Sequence, residues 1–357
     1  MGAVHVPNLV PNLVPCVMPL VRSVLMLAAH DVEYSGCRCS GGTADRLRPV
    51  SKKVVTSPRA PRELLMTYLR TQIDELRARA PGARIDSPDA VHRMRVASRR
   101  LRSSLATFGP LFTGSRPRHQ RDELRWLGTV LGPVRDVEVM RARLQETAAF
   151  LPVDADLAEV LADLDRELAE RHSLAHADLI VALNSPRYAG LVADLTALVT
   201  HPPWAEGDAK AGKRHTLPAL VGRACARVDR AARAAEGALD AGGPELHEVR
   251  KAAKRARYAA EVAGPSVGAA AKALARRMEE LQELLGAHQD SLMARALLQD
   301  LADRRSERGT FALGLLTGVE HASDESVLAA YGVALAAASA EEVRGWTLAV
   351  KDDSPLM

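Results

Sequence analysis

Aromatic residues make up only 3% of this 357-residue chain. So few rings leave little for base stacking, the usual grip on a single-stranded nucleic acid. Cysteine is also scarce. Cys16, Cys37 and Cys39 crowd the N-terminal end, and only Cys225 lies in the body. No disulfide framework can run through such a chain, so a reducing, cytoplasmic setting is expected. Cys37 and Cys39 are too close together and too isolated to form a metal site. A clean apolar run is missing as well. The stretch Val6 to Ala29 is apolar, but Pro7, Pro11, Pro15, Pro19 and Arg22 interrupt it, which argues against a membrane span. No Lys or Arg precedes it, as a signal peptide requires. Residues 1–58 therefore read as a disordered N-terminal tail, and no membrane partner is expected.

What remains is rich in alanine, leucine and arginine, all good helix formers. Hydrophobic residues are 47% and charged residues 26%, the balance of a globular protein. The class this predicts is all-α. Pro61 opens a helix expected to run to about Arg79 and to stop at Pro81-Gly82. Asp86-Ser87-Pro88 starts a second helix, ending at Gly109-Pro110. A third spans about 118–131 and breaks at Gly132-Pro133, and a fourth starts near Arg135. Helical patterning continues over 154–183, 185–199 and 216–239. Gly242-Gly243-Pro244 opens another helix to Ala263, stopped by Gly264-Pro265. Four more are predicted over 266–285, 289–304, 310–321 and 325–340. The expected organisation is a first bundle over 59–200, a linker over 201–215, a second bundle over 216–340 and a C-terminal tail over 341–357.

An internal repeat underlies the two bundles. HRMRVASRRLR (92–102) aligns with HEVRKAAKRAR (247–257) at an offset of 155. His92 matches His247, Arg95 matches Arg250, Arg99 matches Lys254, Arg100 matches Arg255 and Arg102 matches Arg257. At an offset of 154, Leu131-Gly132 matches Leu285-Gly286, Asp136 matches Asp290, and Arg141 matches Arg295. Two matched segments in one order imply two related helical bundles with pseudo-two-fold symmetry, each of about four core helices plus extras.

On a helical wheel the first repeated segment buries Met94, Ser98, Leu101, Leu105 and Phe108. It turns His92, Arg95, Arg99 and Arg102 to another face. The second copy buries Val249, Ala253, Ala256 and Ala260, and its stripe is His247, Arg250, Lys254 and Arg257. Like charges one turn apart destabilise a helix, and no acid lies between Val91 and Phe108. In the second copy only Glu248 and Glu261 appear, and repulsion so little relieved in both copies points to an anionic partner. Each stripe spans ~15 Å of helix axis, enough to meet several phosphates in a row. Arginine's planar fork and lysine's point charge both suit phosphate oxygens. A histidine beside phosphate should gain charge more readily.

These segments resemble the CHAD domain (conserved histidine α-helical domain). The resemblance rests on H-x-x-R-V-x-x-R-R-L-R, then L-G-x-x-R-D, then H-x-x-R-K-x-x-K-R-x-R-Y-x-x-E, and it covers about residues 59–340. It implies a helical protein of two pseudo-symmetric bundles that binds inorganic polyphosphate and associates with polyphosphate granules. The binding role it implies falls on His92, Arg95, Arg99, Arg100 and Arg102 in the first copy. In the second it falls on His247, Arg250, Lys251, Lys254, Arg255 and Arg257. Arg135 and Asp136 match the R-D motif, and Asp136 and Asp290 read as structural acids that orient an arginine. Many relatives carry a CYTH triphosphatase domain, but its E-x-E-x-K signature is absent here. No catalytic residue, cofactor or metal site is therefore expected.

Three other features lead to no site. Gly207 to Lys213 nearly spells a phosphate-binding loop, but Arg214 replaces the required Ser or Thr and no strand precedes it. His172 and His176 stand at i, i+4 with no third metal ligand near them in sequence. A duplex reader needs base-reading side chains, and Asn and Gln are scarce on the stripes. Nucleic acid is therefore the disfavoured alternative partner, and a metal-dependent phosphoanhydride hydrolase ranks below it. The sequence leaves the oligomeric state open.

Overall fold

The computed structural model of the chain describes residues 60–152, 155–205, 215–236, 244–303 and 307–348. The predicted N-terminal tail and the Gly207–Lys213 segment lie outside them. The described residues form α1 (Ala60–Arg84), α2 (Ala90–Thr107), α3 (Arg116–Ala148), α4 (Ala155–Leu183) and α5 (Pro186–Thr200). They continue as α6 (Leu217–Ala235), α7 (Pro244–Val267), α8 (Ala269–Ala302), α9 (Glu307–Ser339) and α10 (Glu341–Leu348). The fold is all-α, and the only β pairing among the described residues is an isolated bridge between Phe112 and Trp204.

Several predicted helix breaks are absent. The Gly132-Pro133 pair lies inside the continuous α3, Pro81 inside α1, and Pro265 inside the last turn of α7. An interior proline costs ~3 kcal/mol, while each well-buried aliphatic side chain contributes ~1.5–3 kcal/mol. Leu131 and Val134, on either side of Pro133, are both fully buried, so packing keeps α3 continuous through the proline. The segments predicted over 266–285 and 289–304 are one helix, α8, whose junction residues Leu284, Leu285, His288 and Ser291 are buried. Those over 310–321 and 325–340 merge as α9. The polar residues that broke its apolar pattern, Glu320 and Asp324, are buried with basic partners. Residues 341–348, read as tail, form α10, which Arg344 fastens to Asp229 on α6 through a 2.5 Å hydrogen bond.

Neighbour relations recur between the halves. Contacts of α1 with α2, α2 with α3 and α3 with α4 are matched by those of α6 with α7, α7 with α8 and α8 with α9. The halves meet directly where α2 touches α7. Both predicted inner faces are buried, from Met94 to Phe108 and from Val249 to Ala260. The large apolar cluster draws on both halves and ends at Val134 on α3 and Leu285 on α8. A second cluster starts at Met140 and Ala294 and is built from the far ends of α3 and α8 with α4 and α9. The repeated Gly and Asp positions fall at the boundary between these clusters.

One candidate membrane element exists. No single described helix is long and apolar enough to cross a membrane. The pair Gly309–Ser339 and Glu341–Leu348, bent by 42°, passes that test only together.

Candidate basic anion-binding site

The repeat has a physical explanation at its arginines. Arg95 on α2 donates from Nη1 to the Gly132 carbonyl at 2.8 Å, and its Nη2 stands 3.1 Å from Asp136 Oδ1. A Cβ at position 132 would meet Arg95 Nη1 at 3.2 Å. In the second copy a Cβ at position 286 would meet Arg250 Nη2 at 2.8 Å, and Asp290 is the acid that most favours the charge on Arg250. The glycine thus lets a guanidinium lie against the helix backbone, and the aspartate one turn later balances it. This is the orienting role read for Asp136 and Asp290. The repeated Arg141 and Arg295 have a different task. Arg141 ties α3 to Asp165 on α4 at 2.7 Å, and Arg295 ties α8 to Asp324 on α9 at 2.8 Å.

The two stripes converge on each other. Burial, then Arg250, Arg99 and Arg95, push Lys254 down to about 6, with Asp290 opposing. Burial lowers Arg102 as well, reinforced by Arg125, Arg99, Arg255 and Arg121. Burial lowers Arg255, with Arg227 and Arg121 adding to it. One cationic field therefore holds Arg95, Arg99 and Arg102 from the first copy with Arg250, Lys254 and Arg255 from the second. It also includes Arg121 and Arg125 on α3 and Arg227 on α6, which the sequence reading missed. The signal for the α3 pair was present: Arg121, Arg125, Gly128, Gly132 and Asp136 recur at helical spacing. Arg102 packs beside Gly128, with its Nη1 at an ordinary contact distance of 3.8 Å from where a Cβ would stand.

Among the described residues Arg99, Arg102, Arg121, Lys254 and Arg255 make no hydrogen bond and no ion pair with an acid. The Nε atoms of Arg99, Arg121 and Arg250 are buried without a partner. Other predicted site residues are engaged elsewhere. Glu261 on α7 accepts from Arg100 at 3.3 Å and from Arg257 at 3.1 Å, and it takes the Tyr68 hydroxyl at 2.6 Å. Arg257 also reaches Glu279 on α8 at 2.5 Å. Arg100 and Arg257 thus belong to a carboxylate-centred joint of α1, α2, α7 and α8. Lys251 pairs with Glu248 at 2.5 Å, and Arg135 with Glu138 at 2.8 Å.

Both histidines sit at the edge of the field. Burial lowers His92, and Arg135 and Arg99 add to the effect against Asp89 and Glu138. Burial and then Lys251 lower His247, while a 3.2 Å contact between its Nδ1 and Gln289 Oε1 acts in the opposite direction. An arriving anion would reverse both shifts by favouring the imidazolium. The field as a whole can grip several anionic oxygens at once, because its cations are already gathered and desolvated with few acids to displace.

A family model described as the CHAD domain matches residues 67–299. Two uncharacterized proteins of Mycobacterium tuberculosis, from strains CDC 1551 / Oshkosh and ATCC 25618 / H37Rv, are each 33% identical to the chain over 266 residues. The match covers 72% of this chain and 50% of each relative, so the chain spans about half the length of the curated relatives it matches. Among solved structures, the CHAD domain from the plant Ricinus communis superposes with a TM-score of 0.56 at 26% identity, covering 76% of this chain and 90% of that one. PptA from Streptomyces chartreusis has the same fold, with a TM-score of 0.64 at 24% identity over 76% of this chain and 98% of its own.

Proposed function

The chain belongs to the CHAD domain family, and from that premise we propose that it binds inorganic polyphosphate where α2 and α7 meet. The observation that carries this reading is that Arg99, Arg102, Lys254 and Arg255, half-buried cations from both repeats, gather in one field without an acidic partner among the described residues. Leaving such groups without acidic partners costs folding free energy, and a densely charged polyanion supplies the missing partners. The binding residues on this reading are Arg95, Arg99, Arg102, Arg250, Lys254 and Arg255, assisted by Arg121, Arg125 and the two histidines. Arg100 and Arg257 hold the helices that carry them. The reading is of a binding module rather than an enzyme, and attachment to polyphosphate granules is its cellular consequence.

A polymer without bases suits this surface better than a nucleic acid. Tyr258, the ring beside Arg100 and Arg257, is buried and carries their guanidinium groups at 5.7 Å, so it is closed to base stacking. Titrating the full chain with long-chain polyphosphate and with DNA, at equal phosphate and equal salt, tests the proposal. Polyphosphate is expected to bind at least tenfold more tightly, with affinity falling steeply as salt rises. Equal or tighter DNA binding would overturn it.

The site also predicts a pH dependence. Lys254 in the unliganded protein is pushed down to about 6, against an ordinary lysine value of 10.5. A bound anion favours the ammonium form, so filling the site above pH ~6 takes up a proton. Affinity is therefore expected to fall as pH rises from about 6.5 to 8.5, by up to about tenfold per pH unit for one proton. Lys254→Arg, charged throughout, should lose the lysine's share of that slope and keep only what the two histidines contribute. Without ligand the sign reverses. Between the lowered value of about 6 and 10.5 the folded chain binds fewer protons at this lysine than the unfolded chain, so its contribution to stability rises with pH. Calorimetry in buffers of different ionisation enthalpy measures the proton uptake directly.

A further inference from the structure

We propose that Asp86, Glu138 and His172 form a binding site for a divalent transition-metal ion beside the His92 end of the basic surface. The three side chains arrive from separate elements: the turn between α1 and α2, the middle of α3, and α4. One ligand atom from each lies within 4.8 Å of the other two. His172 Nε2 stands 3.7 Å from Asp86 Oδ1 and 4.0 Å from Glu138 Oε1. Both distances are too long for hydrogen bonds. Ligands at about 2.1 Å from a metal are roughly 3–3.5 Å apart, so an ion would have to draw the carboxylate oxygens toward the imidazole by roughly 0.2–1 Å.

The surroundings orient one of the ligands by a hydrogen bond, as supporting groups do around known metals. Glu138 uses Oε2 for Arg135 at 2.8 Å, which turns Oε1 toward the imidazole. The His172 ring is parallel to His176 at 6.1 Å, and His176 Nε2 contacts the Ala83 carbonyl on α1 at 2.8 Å. Asp86 has no hydrogen bond and no other ion pair among the described residues, so its carboxylate is available. Two carboxylates face the ion, one of them shared with Arg135, and an oxygen-oxygen-nitrogen set suits Mn²⁺, Fe²⁺ or Zn²⁺ better than Ca²⁺. Three protein ligands leave at least one position for water or a phosphate oxygen. The sequence concealed this set because 86 residues separate Asp86 from His172, and the i, i+4 spacing drew attention to His176 instead.

The metal site does not depend on the polyphosphate reading. Only the identity of the oxygen completing its shell would rest on that reading. The test uses the full chain and Mn²⁺ alone, because Zn²⁺ would also seek the thiols of Cys16, Cys37 and Cys39. Equilibrium dialysis with electron paramagnetic resonance in phosphate-free buffer should find one bound ion per chain. Asp86→Asn and His172→Gln should each weaken it at least tenfold, while Arg99→Ala should leave it unchanged. Should His172→Gln lose its cooperative melt, Glu138→Gln, which retains the acceptor for Arg135, decides in its place. No bound ion in the parent chain, or variants that bind as it does, would sink the proposal. Loss of polyphosphate binding with Mn²⁺ retained would count against the function above and leave the metal site standing.

Discussion

Replacing Arg99 by alanine and Lys254 by methionine together should weaken polyphosphate binding by on the order of 10²–10⁴-fold without lowering the melting temperature. Hydrogen bonds to charged groups contribute ~1.5–3 kcal/mol each, so losing two removes ~3–6 kcal/mol, which sets that range. The stability half of the expectation follows from the geometry. Neither side chain holds an acid among the described residues, and Arg99 disfavours the charges on both Arg250 and Lys254. Removing the pair relieves repulsion and breaks no salt bridge. Arg95→Ala is a poorer probe, because it strips Gly132 and Asp136 of their guanidinium and so mixes binding with folding. Calorimetric titration and thermal melts on the same samples check both halves. Unchanged affinity would show that the bound chain lies on another face.

Glu320→Ala should cost the fold about 3–5 kcal/mol, the usual penalty for removing one partner of a buried ion pair. Glu320 on α9 is 1% exposed. It accepts from Arg143 Nη2 at 2.7 Å, from Arg143 Nε at 2.9 Å and from the Thr147 hydroxyl at 2.6 Å. This contact fastens α3 to α9 close to the boundary between the two apolar clusters. The alanine variant leaves a cation buried without its acid. Changing both partners, Arg143→Met with Glu320→Leu, removes that orphaned charge and should recover most of the lost stability. Denaturant unfolding of the three variants measures this. A double variant no better than Glu320→Ala would mean that Thr147 or local packing, rather than the charge on Arg143, sets the cost.

Part of the chemistry was legible in sequence, because helical spacing sorts residues onto faces. The inner faces of α2 and α7 follow from that spacing, as does the place of Asp136 opposite an arginine. Helix ends were read less well. Gly-Pro pairs are strong local stop signals, yet α3 passes through Gly132-Pro133 because residues far apart in sequence bury both of its flanks. Glu320 and Asp324 looked like an interruption of α9 because their partners, Arg143 on α3 and His288 and Arg295 on α8, lie in other helices.

The sequence by itself determined the helical class, the doubled motif and the sign of the charge on each stripe. These depend on residue types and on the 3.6-residue period, which are local properties. Tertiary structure alone decided that the stripes form one field rather than two. It also decided that Arg100 and Arg257 serve Glu261 while Arg121, Arg125 and Arg227 join the site, and that Asp86 and Glu138 meet His172. Each of these depends on distances between separate helices. A charge pattern records where a side chain can point, and only packing determines whether a carboxylate, another cation or an open surface lies there.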